Sequence, residues 1–237
     1  MMNYFRFLCA ICFVGLLVVT SQDSLGAHPK HRGGWEPEVS SLLSKYGNSL
    51  PKQNVIFCGS SSIKGWKTLE RDMLPIRVIN HGFGGTKVHD ITAYAHRLIT
   101  PFEPSAVVLF AGSNDLNGVP GKTRTAPQVY MDTVALFSVL QTDLPGVPVY
   151  YISITPTPLR WHVWNDIKQA NHMTQNYCFM HKGLNYIDLA GKMMATSGIP
   201  DASLYKPDGL HPNAGGYRVW TSVIRPRLMQ DLLRLAQ

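Results

Sequence analysis

Ala106-Val107-Val108-Leu109-Phe110-Ala111-Gly112-Ser113-Asn114-Asp115 is six apolar residues closed by four small or polar ones. A strand with one wet face alternates apolar and polar residues, whereas an unbroken apolar run is what a parallel strand needs when helices cover both its faces. Runs rich in Val, Ile, Phe and Tyr also stand at 55–58, 78–80, 147–154 and 185–189. Between them lie segments of helical period: Val88, Ile91, Ala95 and Leu98; then Tyr130, Val134 and Phe137; then Ile167, Ala170, Thr174 and Tyr177. Tyr217, Trp220 and Ile224 open a last helix that Pro226 is expected to end, with a second helix beginning there. Strands alternating with helices predict five βα units, an α/β fold in three layers, α/β/α, around a five-stranded parallel sheet. No linker or repeat interrupts 36–237.

Working outward to the N-terminus, Arg6 precedes thirteen apolar residues, 7–19, then Thr20, Ser21, Gln22 and the small pair Gly26-Ala27. This is the pattern of a secretory signal peptide over 1–27. Thirteen residues of helix reach only about 20 Å, short of a hydrocarbon core of roughly 30 Å, so export with cleavage is expected and no stable membrane span after it. Residues 28–35, with His28, Lys30, His31 and Arg32, read as a loose mature N-terminus ahead of one domain, 36–237.

The chain has 237 residues, 45% hydrophobic and 16% charged, a composition that excludes disordered, collagenous and coiled-coil classes. Cleavage would remove Arg6 and Asp23 together, so the formal charge of +7 is unchanged. The charge is dispersed without a basic stripe, and no nucleic-acid partner is expected. Of four cysteines, Cys9 and Cys12 fall in 1–27. Cys58 and Cys178 are expected as buried free thiols rather than a disulfide, and no spacing of Cys or His predicts a metal site.

In an open parallel sheet, ligands gather beyond the carboxyl ends of the strands. There the sequence delivers Gly59-Ser60-Ser61-Ser62-Ile63, Asn80-His81-Gly82-Phe83-Gly84-Gly85-Thr86 and Gly112-Ser113-Asn114-Asp115, with Asp208-Gly209-Leu210-His211-Pro212 before the last helix. A serine hydroxyl is a poor nucleophile until an imidazole takes its proton, and the imidazole needs a carboxylate to fix its tautomer. A glycine backbone N–H and an asparagine amide are suitable donors for the oxyanion that follows.

These four blocks, in this order, resemble the SGNH hydrolases, also called the GDSL esterase/lipase family. The resemblance runs from about Val55 to Trp220 and implies a flavodoxin-like sheet. It further implies Ser61 as nucleophile, Asp208 and His211 as acid and base, and an oxyanion hole of the Ser61 N–H, Gly85 and Asn114. Ser60 stands where the family's Gly-Asp-Ser has aspartate, which leaves Ser60 and Ser62 as alternative nucleophiles. The implied activity is hydrolysis of small acyl esters through an acyl-enzyme, with acylated carbohydrate as the expected substrate and no cofactor. Lysophospholipase or thioesterase action, acyl transfer and a non-catalytic glycan- or lipid-binding module are the alternatives.

Each block alone has a plainer explanation: a helix N-cap for Ser60–Ser62, a glycine turn for Gly82–Gly85 and an Asx turn for Asn114. Their conjunction favours the site. Other motifs fail, since the glycine run lacks the third glycine of a dinucleotide fingerprint and the serine turn lacks the second glycine of an α/β-hydrolase elbow. His81, beside the glycines, and Arg160 and Trp161, after the fourth strand, are candidate substrate-cleft residues. Sequence leaves the oligomeric state open.

Overall fold

The computed structural model describes residues 34–235. The expected signal segment, 1–27, and most of the expected loose stretch, 28–35, lie outside the described residues. Trp35, at the end of that stretch, is in fact packed: its ring meets Phe83 edge-on at 6.3 Å. Folded packing therefore begins before residue 36.

The elements are α1 (Glu36–Ser44), β1 (Val55–Gly59), α2 (Ser61–Lys64), α3 (Leu69–Asp72), β2 (Val78–Gly82), α4 (Val88–Leu98), β3 (Ala106–Phe110), α5 (Ala126–Asp143), β4 (Val149–Ile152), α6 (Trp164–Met180), β5 (Leu184–Ile187) and α7 (Ala214–Leu235). The five strands pair in parallel in the order β2-β1-β3-β4-β5.

Successive strand residues face opposite ways, and both faces are apolar. Ile56, Cys58, Val107, Leu109, Val149 and Tyr151 pack on one side with α1, α4, α5 and α6, through residues such as Val39, Ile91, Leu136 and Ile167. Phe57, Val108, Phe110, Tyr150 and Ile152 pack on the other with α2, α3 and α7, through Ile63, Leu69, Trp220 and Leu228. Cys58 and Cys178 are free and buried, as the sequence predicts. Burial pushes both thiols up to about 12, so neither is a thiolate near neutral pH.

Two helix readings need correction. The buried stripe of α5 is Ala126, Val129, Thr133, Leu136, Phe137 and Leu140, whereas Tyr130 and Val134 are only half-buried. Thr133 can sit in the core because its hydroxyl donates to the Val129 carbonyl at 2.8 Å. The last helix does not break at Pro226, and α7 runs through it. An internal proline costs about 3 kcal/mol, but Ile224 and Leu228 on either side are both fully buried, each worth about 1.5–3 kcal/mol.

Because β1 lies between β2 and β3, the sheet changes its direction of growth there, and a crevice opens at the carboxyl ends of β1 and β3. Gly59 is in register with Phe110, so the turns after both strands start at the same level. A Cβ on Gly59 would stand 2.3 Å from the Phe110 carbonyl oxygen, an approach only glycine permits.

Candidate active site

The turn after β1 places Ser61. The Ser60 N–H donates to the Phe110 carbonyl at 3.3 Å, and the Ser60 carbonyl accepts from Ile63 and Lys64 at 3.0 and 3.1 Å, which starts α2 with Ser61 as its first residue. Ser60 occupies the N-cap, yet its side chain makes no capping bond, so the plain capping explanation of the serine run fails. Two contacts clamp α2 from outside: the Tyr217 hydroxyl donates to the Ser62 carbonyl at 2.9 Å, and the Asn80 amide donates to the Ile63 carbonyl at 2.7 Å.

The segment before α7 places Asp208 and His211. The Lys206 N–H donates to the His211 carbonyl at 2.8 Å, and Gly209 turns the chain at φ +63°. Asn213 locks the exit, its amide donating to the Ser203 and Tyr205 carbonyls at 2.8 and 2.9 Å while its oxygen accepts from Gly215 and Gly216 at 2.7 and 3.1 Å.

These two segments, 150 residues apart in sequence, meet. The His211 Nδ1–H donates to Asp208 Oδ2 at 2.7 Å, and His211 Nε2 accepts from the Ser61 hydroxyl at 2.8 Å. The carboxylate fixes the tautomer, since it only accepts, and so leaves Nε2 free to take a proton. Asp208 Oδ1 accepts two backbone N–H groups, from Leu210 and His211, both at 2.9 Å. Burial alone would raise its pKa, but the His211 N–H, the His211 ring and the Leu210 N–H outweigh that and hold the carboxyl at about 2. Carboxylate, imidazole and hydroxyl thus form one hydrogen-bonded line, an arrangement able to make a serine oxygen nucleophilic.

Asn114 lies in the turn after β3, the strand beside β1. Its Oδ1 accepts from the Arg160 guanidinium at 3.0 Å, and its Nδ2 donates to the Thr86 carbonyl at 3.0 Å, which leaves one amide N–H uncommitted. Gly85 precedes Thr86 at φ +75°, a conformation that glycine adopts without strain. Among the described residues, neither the Ser61 N–H nor the Gly85 N–H donates to a protein acceptor. The three N–H groups expected to receive the oxyanion, those of Ser61, Gly85 and the Asn114 amide, are therefore uncommitted.

The cleft candidates fare differently. His81 is not a cleft residue: it is fully buried, with its Nδ1–H on the Leu98 carbonyl at 2.5 Å and its Nε2 accepting from the Tyr46 hydroxyl at 2.9 Å. Phe102 packs edge-on at 4.7 Å, and burial pushes the imidazole down to about 4, so it is a neutral core residue. The Arg160 guanidinium is turned onto the loop after β3, on Ser113 as well as Asn114. Trp161 stacks on Trp164 at 5.8 Å, half-buried, one residue along from Arg160. Asn80, Asn213 and Tyr217 hold the site; the sequence shows Asn80 only as part of the glycine block and Tyr217 only as a helix residue, and gives no sign of Asn213. A polar side chain closing the apolar run 78–80 was the available signal for Asn80.

The sequence model of the GDSL-like lipase/acylhydrolase family matches residues 40–219. A search of the curated proteins found no match. Among solved structures, a Bacteroides fragilis protein classed as an acylhydrolase superposes with a TM-score of 0.68 at 18% identity, covering 88% of this chain and 100% of that one. A GDSL-like lipase from Bacteroides thetaiotaomicron gives 0.66 at 18% identity, over 83% and 96% of the two chains. A carbohydrate esterase family 3 protein from Talaromyces cellulolyticus gives 0.61 at 18% identity, over 77% and 99%.

Proposed function

The chain belongs to the GDSL-like lipase/acylhydrolase family, and from that premise we propose that it is an exported serine esterase that removes small acyl groups, acetyl foremost, from carbohydrate. The line Ser61–His211–Asp208, with distances of 2.8 and 2.7 Å, carries the reading. Ser61 Oγ attacks the ester carbonyl while His211 Nε2 takes its proton, and the Ser61 and Gly85 N–H groups and the Asn114 amide receive the oxyanion. The imidazolium, steadied by Asp208, returns the proton to the departing alcohol oxygen. Water, deprotonated by the same nitrogen, then attacks the acyl-enzyme and releases the acid, restoring the Ser61 hydroxyl.

The side chains of His211 and Asp208 remain 28% and 47% exposed, which suits a bulky, hydrophilic alcohol at the mouth of the site. A neighbouring fold whose name is carbohydrate esterase agrees with that choice. The test is acetate release from O-acetylated oligosaccharide set against fatty-acid release from lysophosphatidylcholine. A higher kcat/KM on the acetylated oligosaccharide is expected, and the reverse order would replace the substrate reading with a lysophospholipase.

Export rests on the pattern in 1–27, and no helix among the described residues is long and apolar enough to cross a membrane. The full chain expressed with an export pathway is expected to yield a form beginning at His28, read by N-terminal sequencing. An intact Met1 or Met2 on a membrane-bound form would make the segment an anchor.

A further inference from the structure

Arginine presents five N–H donors on a rigid plane and accepts nothing, so whatever faces its fork must be an acceptor. One Arg160 terminal nitrogen donates to the Ser113 carbonyl and to the Ser113 hydroxyl, both at 2.6 Å, and the other donates to Asn114 Oδ1 at 3.0 Å. Arg160 stands in the 3-10 turn Pro158–Val163 with the non-helical angles φ −112° and ψ 21°, its N–H donating to the Thr157 hydroxyl at 3.2 Å. In the same turn, the Leu159 N–H donates to the Gly209 carbonyl at 2.9 Å. Adjacent residues of one short turn thus hold the loop that carries Asn114 and the loop that carries Asp208 and His211.

We propose that Arg160 is the positioning residue of the Asn114 amide, holding and polarising it as a donor for the oxyanion formed at Ser61. The inference rests on the esterase reading above. A guanidinium on Oδ1 permits only one orientation of the amide, with Nδ2 on the Thr86 carbonyl. A cation on the amide oxygen also draws electron density toward itself, which makes the remaining N–H a stronger donor where negative charge develops. The guanidinium is mostly buried, which pushes its pKa down, and the nearby Asp115 carboxylate opposes that shift. A partly buried charge of this kind is screened less than one at the open surface.

An interaction that strengthens only in the transition state acts on kcat and leaves KM alone. The test compares wild type, Arg160→Ala, Arg160→Lys, Asn114→Ala and the Arg160→Ala/Asn114→Ala double variant on a chromogenic acetate. Asn114→Ala is expected to lower kcat by about 10²–10³. Arg160→Ala is expected to lower it by about 10- to 100-fold with KM within about twofold, and Arg160→Lys, which keeps the charge but not the fork, to fall between. The double variant should be no slower than Asn114→Ala alone, because the arginine acts through the amide. Added guanidinium ion should restore part of the Arg160→Ala rate and none of the double variant's. Should Arg160→Ala prove unstable at the assay temperature, Arg160→Lys in the Asn114 wild-type and Asn114→Ala backgrounds gives the same cycle.

Fully additive losses, an effect confined to KM, or an unchanged kcat in Arg160→Ala would each overturn the proposal while leaving the esterase reading in place. Wild-type turnover that survives Ser61→Ala would instead fell the reading itself, and this inference with it.

Discussion

Ser61→Ala is expected to lower kcat on a chromogenic acetate by about 10⁶ and to abolish labelling by a serine-directed fluorophosphonate. The size follows from what is lost: the oxygen that forms the acyl-enzyme, not merely a contact to it. Neighbouring hydroxyls offer no substitute. Ser60 and Ser62 are both buried, at 4% and 8% exposure, and of the three it is the Ser61 hydroxyl that donates to His211. Acceleration over water of roughly 10³–10⁴ should survive in the variant, because the oxyanion donors remain. His211→Ala should cost about as much as Ser61→Ala, and the pair together no more than either alone, because the two act as a unit. Folding is a poor alternative explanation for such a loss. The Ser61 side chain makes its hydrogen bond to His211, itself 28% exposed, so stability should change by no more than about 0.5 kcal/mol in a thermal melt. Turnover near the wild-type rate, or fluorophosphonate labelling, retained in a folded Ser61→Ala protein would reject Ser61 as the nucleophile.

The sheet was legible because its strands are apolar on both faces: 106–111 cannot be read as half-wet, and β3 is buried along its whole length. Strand order was less accessible, since it depends on how the crossovers pass and not on any one segment. The α5 stripe was misassigned because that helix is rich in apolar residues on more than one side, so several registers fit equally well, and the true one buries Thr133. The local cost of Pro226 predicts a break, whereas Ile224 and Leu228 meet core residues supplied by distant parts of the chain.

The same distinction runs through the site. Ser61, Asp208 and His211 stood out because each lies in a short block of small and turn-forming residues, where an apolar core has no use for them. His81 stood in such a block too, but its fate was decided by Tyr46 and Phe102, 35 and 21 residues away, which close around it. The target of Arg160 lies 46 and 47 positions back, so only the fold reveals it. Ser60, in place of the aspartate of Gly-Asp-Ser, still opens the turn. The turn is built from the Ser60 backbone, and its start requires nothing of the side chain.

Asp208→Asn is expected to lower kcat by about 10⁴, and by at least as much as Asp208→Ala, although asparagine is the closer match in shape. The reason lies in the two backbone N–H groups of Leu210 and His211, which both point at Oδ1 and need an acceptor there. An asparagine satisfies them only with its oxygen in that position, which turns its NH₂ toward His211 Nδ1. Nδ1 must then accept, the ring proton moves to Nε2, and the nitrogen facing Ser61 can no longer take the hydroxyl proton. Alanine leaves Nδ1 to water at this partly exposed carboxylate and allows either tautomer. In wild type, the Asp208 carboxyl stays ionised down to about pH 2, so tautomer control owed to its charge is lost as pH falls through that value, while the stability it contributes declines from the ordinary carboxylate value of 3.8 downward. The acid limb of kcat/KM above pH 3, measured on the chromogenic acetate, should therefore show at most one ionisation, and none from Asp208. A second ionisation on that limb would count against the ionised Asp208, and an asparagine variant clearly faster than the alanine variant would count against its control of the tautomer.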